Sequence, residues 1–283
     1  MRPAQFPSPR ASVDLAWQDR KIALEYQWVG VASEGPVVVF LHEGLGSIDL
    51  WKNFPHRFCE KNGLTGLVFS RYGYGRSTPR LPEERWPVSF MHAQAHDVLP
   101  RLFDKLDIRK PWLFGHSDGA SIALLYAAWF SDNVSGIVVV APHIFVEDKT
   151  VESIAAARQA YLSTELRNRL ARYHQDVDSA FWGWNDIWLD PAFRTWNIEE
   201  CLSSLACPVM AVQGEDDEYG SLEQIRGIKK KAPHTQLSIF PRCGHSPHRD
   251  QPEKLIQEAG QFVQDAMQNA TRNIQALNPR RQP

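Results

Sequence analysis

The chain has 283 residues, 43% of them hydrophobic and 23% charged, a globular composition large enough for one substantial domain or two modest ones. Its 31 Lys and Arg against 33 Asp and Glu leave a formal charge of −2, so neither a nucleic acid nor an anionic membrane is an expected partner. Cys59, Cys201, Cys207 and Cys243 show no framework spacing and read as small hydrophobes of a reducing compartment. The first ten residues carry no apolar stretch, so no signal peptide is expected, and no run of about 18 apolar residues predicts a membrane span. A cytoplasmic protein is the expectation.

In chain order, residues 13–17 and 22–28 flank a polar step at 18–21 and predict an opening hairpin. The unbroken apolar run 37–41 predicts a strand buried on both faces of a parallel sheet. Runs of that kind recur at 66–70, 112–115, 136–141, 209–213 and 236–240, and helical stretches lie between them at 50–61, 89–106, 118–130, 222–231 and 252–267. Such alternation predicts an α/β domain with a mostly parallel sheet. The stretch 145–201 breaks the rhythm: it holds no convincing strand, is rich in Ala, Arg and Trp, and reads as an inserted helical cap. The core domain is then 11–144 together with 202–270, and 1–10 and 271–283 are expected to be flexible tails.

The run Gly115-His116-Ser117-Asp118-Gly119 places Gly-x-Ser-x-Gly between an apolar strand and an apolar helix. A nucleophile elbow needs that setting, because its strained turn tolerates only small residues two before and two after the serine. A serine hydroxyl also needs a base, and the base needs an orienting carboxylate. His245 follows the last expected strand, and Asp217 lies in the acidic run 215–218 after strand 209–213. All three positions fall at the carboxyl ends of strands, the edge where open α/β sheets bind ligands.

These motifs resemble the α/β-hydrolase superfamily, in particular its capped branch, over roughly 37–267. Besides the Ser117 elbow, the resemblance rests on His42-Glu43-Gly44, on 71–77, on Gly214-x-x-Asp217, and on Gly244-His245 with Asp250 and Pro252 downstream. It implies a mostly parallel eight-stranded sheet with helices on both faces and an inserted helical cap. It further implies Ser117 as nucleophile, His245 as base and Asp217 as acid. Glu147 or Asp148 remains open as the acid, as in relatives that carry it after strand six. The backbone N–H groups of Gly44 and Asp118 would form the oxyanion hole. Where most relatives have His-Gly, this chain has His42-Glu43. Glu43 is either an ion-pair partner, with Arg71 as the candidate, or a group that orients substrate or water.

Four of the ten tryptophans lie in 182–196, where they either pack the cap or line an apolar pocket. Trp182, Trp184 and Trp188 are candidate substrate contacts, with Trp51 and His143 on the core side. His92 and His96 lack the glutamate of a His-Glu-x-x-His motif, and no dinucleotide or phosphate loop is present, so neither a metal nor a cofactor is expected. The expected function is hydrolysis of a small or aromatic carboxylic ester, thioester or lactone. Carbon–carbon bond hydrolysis of ring-fission products by the same triad, or a non-catalytic ligand receptor of this fold, are the alternatives. The expected partner is a small ester-like molecule, and a homodimer is left open.

Overall fold

The computed structural model describes residues 5–277, with side chains through 272. Strands β1 (Ala11–Trp17) and β2 (Arg20–Gly30) form the opening hairpin, whose turn residues Gln18 and Asp19 both take positive φ, 48° and 58°. Two left-handed residues match the twist that a tight hairpin imposes. The strands β3 (Val38–Leu41), β4 (Thr65–Phe69), β5 (Trp112–His116), β6 (Gly136–Val140), β7 (Val209–Gly214) and β8 (Gln236–Phe240) complete the sheet. Its order is β1-β2-β4-β3-β5-β6-β7-β8, antiparallel at β1/β2 and β2/β4 and parallel elsewhere. Every residue of β3 to β7 is buried, as their unbroken apolar runs require.

Helices cover both faces: α1 (Phe54–Lys61), α2 (Phe90–Ala93), α3 (Leu99–Leu106), α4 (Asp118–Trp129), α5 (Asp148–Ser163), α6 (Leu166–Leu170), α7 (Val177–Trp188), α8 (Glu223–Lys231), α9 (Pro247–Asp250) and α10 (Pro252–Leu277). Two apolar clusters result, one on each side of the sheet. The helix expected over 89–106 is divided by a π-helical turn, Gln94–Val98. Pro100 supplies no N–H to the carbonyl of His96, so the ladder loosens there. Helix α4 is apolar all round because it lies under the sheet with ten of its twelve residues buried.

The segment 145–201 contains α5, α6 and α7, and its one β pairing among the described residues, the isolated bridge Phe145–Asn197, lies within the segment itself. Of the expected tails, 1–4 and 278–283 lie outside the described residues. Within 5–10, the Ser8 N–H donates to the Trp28 carbonyl at 2.9 Å, and α10 continues through 271–277. Among the described residues, no helix is long and apolar enough to cross a membrane.

Candidate active site

Ser117 sits at the turn from β5 into α4 with φ 52° and ψ −121°, a strained conformation for a residue with a side chain. The flanking glycines show why the turn is so tight. A Cβ at Gly115 would lie 2.4 Å from the Gly119 carbonyl oxygen, and one at Gly119 only 2.0 Å from that of Leu41. The elbow thus presses directly onto β3, and the hydroxyl is lifted above the carboxyl edge of the sheet.

The Ser117 hydroxyl lies 2.9 Å from His245 Nε2, and His245 Nδ1 lies 2.9 and 3.0 Å from the two carboxylate oxygens of Asp217. An ionised carboxylate only accepts, so Nδ1 carries the proton and Nε2 accepts from serine. Asp217 also accepts from the N–H groups of Tyr219 (2.8 Å) and Gly220 (3.2 Å) and from the Gln213 amide (3.0 Å). Burial opposes its charge, but His245 and the Tyr219 N–H hold its pKa below the usual carboxylate range. The other candidate acids are committed elsewhere. Glu147 accepts from the Ser221 N–H and the Gln224 amide, and Asp148 pairs with Arg194.

A cavity of about 250 Å³ opens beside Ser117, and its lining includes Glu43, Gly44, Asp118, His143, Trp184 and Trp188. Asp118 heads α4, where the first N–H groups have no acceptor within the helix. Its side chain points away into a buried pair with Arg71 at 3.7 Å and accepts from Trp188 Nε1 at 3.2 Å. Burial raises the Asp118 pKa against the opposing pull of Arg71. His143 packs against Trp188 and His245, with ring centroids at 5.0 and 5.8 Å. Burial, with His245 beside it, pushes its pKa down to about 3, so the ring is neutral.

Two candidate contacts lie elsewhere. Trp51 is buried beneath the site, 4.9 Å from the His248 ring and stacked on Phe54, because it closes the apolar cluster under β3 and β5. Trp182 falls on the opposite face of α7 from Trp184, where it meets Tyr161 and the Arg158 guanidinium. Nor does Arg71 pair with the carboxylate of Glu43: it donates to the Glu43 carbonyl at 2.9 Å, while Arg249 at 3.2 Å and His116 at 3.5 Å face the carboxylate. Arg71 is drawn inward by the buried charge of Asp118 instead.

Sequence reading missed the contacts that 145–201 makes with the acid loop. From the first turns of α5, Lys149 donates to the Asp217 carbonyl, Thr150 to that of Tyr219 at 2.5 Å and Ser153 to that of Glu218 at 2.7 Å. His174 accepts from the Gly75 N–H at 3.0 Å and donates to the Leu45 carbonyl at 3.0 Å, bracing the loop of Gly44. Three polar residues in one helical turn were the available signal, but nothing in the sequence marks their acceptors.

Comparison with known proteins finds hydrolases among the relatives of this chain. The chain is 25% identical over 254 residues to the serine hydrolase BPHL of Homo sapiens, covering 86% of this chain and 84% of that protein. It is 22% identical over 242 residues to the 2-hydroxy-6-oxononadienedioate/2-hydroxy-6-oxononatrienedioate hydrolase of Comamonas testosteroni, covering 76% and 82%. Among solved structures, a thermophilic esterase from Thermogutta terrifontis superposes with a TM-score of 0.70 at 19% identity, over 92% of this chain and 99% of that one. The sequence profile of the alpha/beta hydrolase family matches residues 38–258, most of the chain. The chain belongs to the alpha/beta hydrolase family.

Proposed function

We propose that the protein is a serine hydrolase that cleaves a small or aromatic, uncharged carboxylic ester, thioester or lactone. The observation that carries this reading is the chain of contacts from the Ser117 hydroxyl through His245 to Asp217, each at 2.9 to 3.0 Å. In this mechanism Ser117 attacks the substrate carbonyl as His245 takes its proton, and Asp217 keeps the imidazole in the tautomer that can accept. The N–H groups of Gly44 and Asp118 stabilise the oxyanion, and His245 then protonates the departing alcohol or thiol. His245 next takes a proton from water, the hydroxide attacks the acyl-enzyme, and the acid leaves as the Ser117 oxygen takes that proton back from His245. The segment 145–201 acts as the cap, with Trp184 and Trp188 over the acyl group and neutral His143 beside them.

Size and charge favour a small neutral substrate. The cavity of about 250 Å³ falls below the roughly 300–1,000 Å³ typical of pockets for drug-sized ligands. Three acidic residues, Glu43, Asp118 and Glu218, line it, while Arg249 is paired with Glu43 and Arg71 with Asp118. A dienedioate of the kind named for the Comamonas relative would bring two more negative charges to that wall. Hydrolysis of p-nitrophenyl esters of graded acyl length, set beside dienoic ring-fission acids, tests the reading. Short neutral esters should turn over, a fluorophosphonate should label the protein, and Ser117→Ala should lose about 10⁵-fold or more of the turnover along with the label. Turnover of the dienoic acids alone, or label retained in Ser117→Ala, would refute it.

A further inference from the structure

Glu43 takes no part in the steps above, yet its carboxylate touches residues from both neighbouring site loops. Its own loop, after β3, carries Gly44. Its Oε2 lies 3.5 Å from Nδ1 of His116, the residue before Ser117, and its Oε1 lies 3.2 Å from Arg249 Nη2 on α9, just after His245. His116 Nε2 in turn donates to the backbone carbonyl of His245 at 2.8 Å. Arg249 also donates to the Leu50 carbonyl at 3.3 Å, tying α9 down a second time to the chain after β3. On its other side, the His245 peptide donates its N–H to Glu218 Oε2 at 3.1 Å.

We propose that Glu43 is a positioning residue: through His116 and Arg249 it holds the loop of His245 in register with the loops of Gly44 and Ser117. This role rests on the serine-hydrolase reading above. The bond to Asp217 sets the orientation of the imidazole, but where the ring stands depends on its peptide, and that peptide is held by His116 and Glu218. The reach from Nε2 to the serine is a single hydrogen bond, and displacing such a group by about 1 Å can cost about 100-fold in rate. Charge is what suits a glutamate to the position. The carboxylate makes a charge-assisted bond to the Arg249 guanidinium, roughly twice as strong as a neutral one, and meets the His116 ring in a longer contact at 3.5 Å. With 17% of its side chain exposed, salt screens it little.

The test is Glu43→Gln, which keeps the shape and removes the charge. On a short p-nitrophenyl ester kcat should fall about 100-fold with KM within about twofold, and the Tm should stay within a few degrees. His116→Gln should cost a similar factor, and the double variant no more than the worse single one, because both break the same chain. Amide exchange at residues 243–246 should quicken about tenfold or more in Glu43→Gln whether or not the protein turns over substrate. A wild-type protein that neither hydrolyses nor labels would therefore sink the hydrolase reading while leaving the tether measurable. Should Glu43→Gln fail to fold, Arg249→Gln at the exposed end of the chain should lower kcat about tenfold at unchanged KM. A raised KM with kcat intact, single losses that multiply in the double variant, unaltered exchange at 243–246, or faster turnover of anionic esters would each overturn the proposal.

Discussion

At the scale of single residues, the Ser117 hydroxyl donates to His245 and His245 donates to Asp217, so each contact depends on the next. Asp217→Asn keeps the shape of the acid loop, but its amide now presents a donor to His245 or turns the imidazole to the wrong tautomer. Turnover of a p-nitrophenyl ester should fall about 10⁴-fold with folding unchanged by circular dichroism; a loss under tenfold would show that another carboxylate orients the base. Trp188→Phe retains the ring but strips a hydrogen bond from Asp118, a buried carboxylate whose other charged contact, Arg71, lies 3.7 Å away. Losing a bond to such a group costs about 1.5–3 kcal/mol, readable as a lower urea midpoint at unchanged m-value. That Ser117, His245 and Asp217 meet was legible because each lies in a short motif after a strand. The role of Glu43 was not, because its partners are 73 and 206 positions away.

At the scale of elements, α5 and α7 do more than cover the cavity. The first turns of α5 fasten the carbonyls of residues 217–219, and α7 brings Trp184 and Trp188 over Gly44 and Asp118. Segment 145–201 and the loop 217–219 are therefore joined by three hydrogen bonds. Thr150→Val with Ser153→Ala removes two of the three bonds, each contributing about 1 kcal/mol. The expected result is faster amide exchange at 217–220 and a lower kcat, with the strands of the sheet protected as before. Exchange that quickens uniformly across β5 to β7 would show that the two hydroxyls support the whole fold instead. The strands themselves were readable because a parallel sheet buried on both faces demands unbroken apolar runs, and β3 to β7 have them. Helix interruptions and side-chain bridges were harder to read. The π-helical turn before Pro100 and the α5 tether depend on local strain and on distant carbonyls, which leave no periodic trace.

At the scale of the molecule, the site is surrounded by buried histidines, and they make the fold sensitive to acid. His42, His143 and His248 all have lowered pKa values, burial being the largest cause in each; Arg71 adds to it at His42, and the neighbouring His245 and His116 add to it at the other two. Glu43 pulls the other way at His42 and His248, and Asp217 does so at His143, without reversing the shift. Below the ordinary histidine value of about 6.5 the unfolded chain takes up protons that the folded one refuses, so stability rises with pH through that window. It is complete above about pH 6.5 and is lost as pH falls, by up to about 1.4 kcal/mol per pH unit for each histidine. For His143 the window closes near pH 3, where the folded ring also titrates. Asp217 and Glu43, whose pKa values are lowered, add a loss in the same direction only below about pH 4, where their unfolded forms gain protons. Urea melts at pH 7.5, 6 and 5 should therefore show a midpoint falling steadily before Asp217 or Glu43 titrates. His248 offers the cleanest check, since both its ring nitrogens are buried without a hydrogen-bond partner against Trp51 and Phe54. His248→Phe should reduce the slope between pH 7 and 5 by about one proton's worth and leave the protein at least as stable at pH 5. An unchanged slope would mean that His248 is already protonated within the fold.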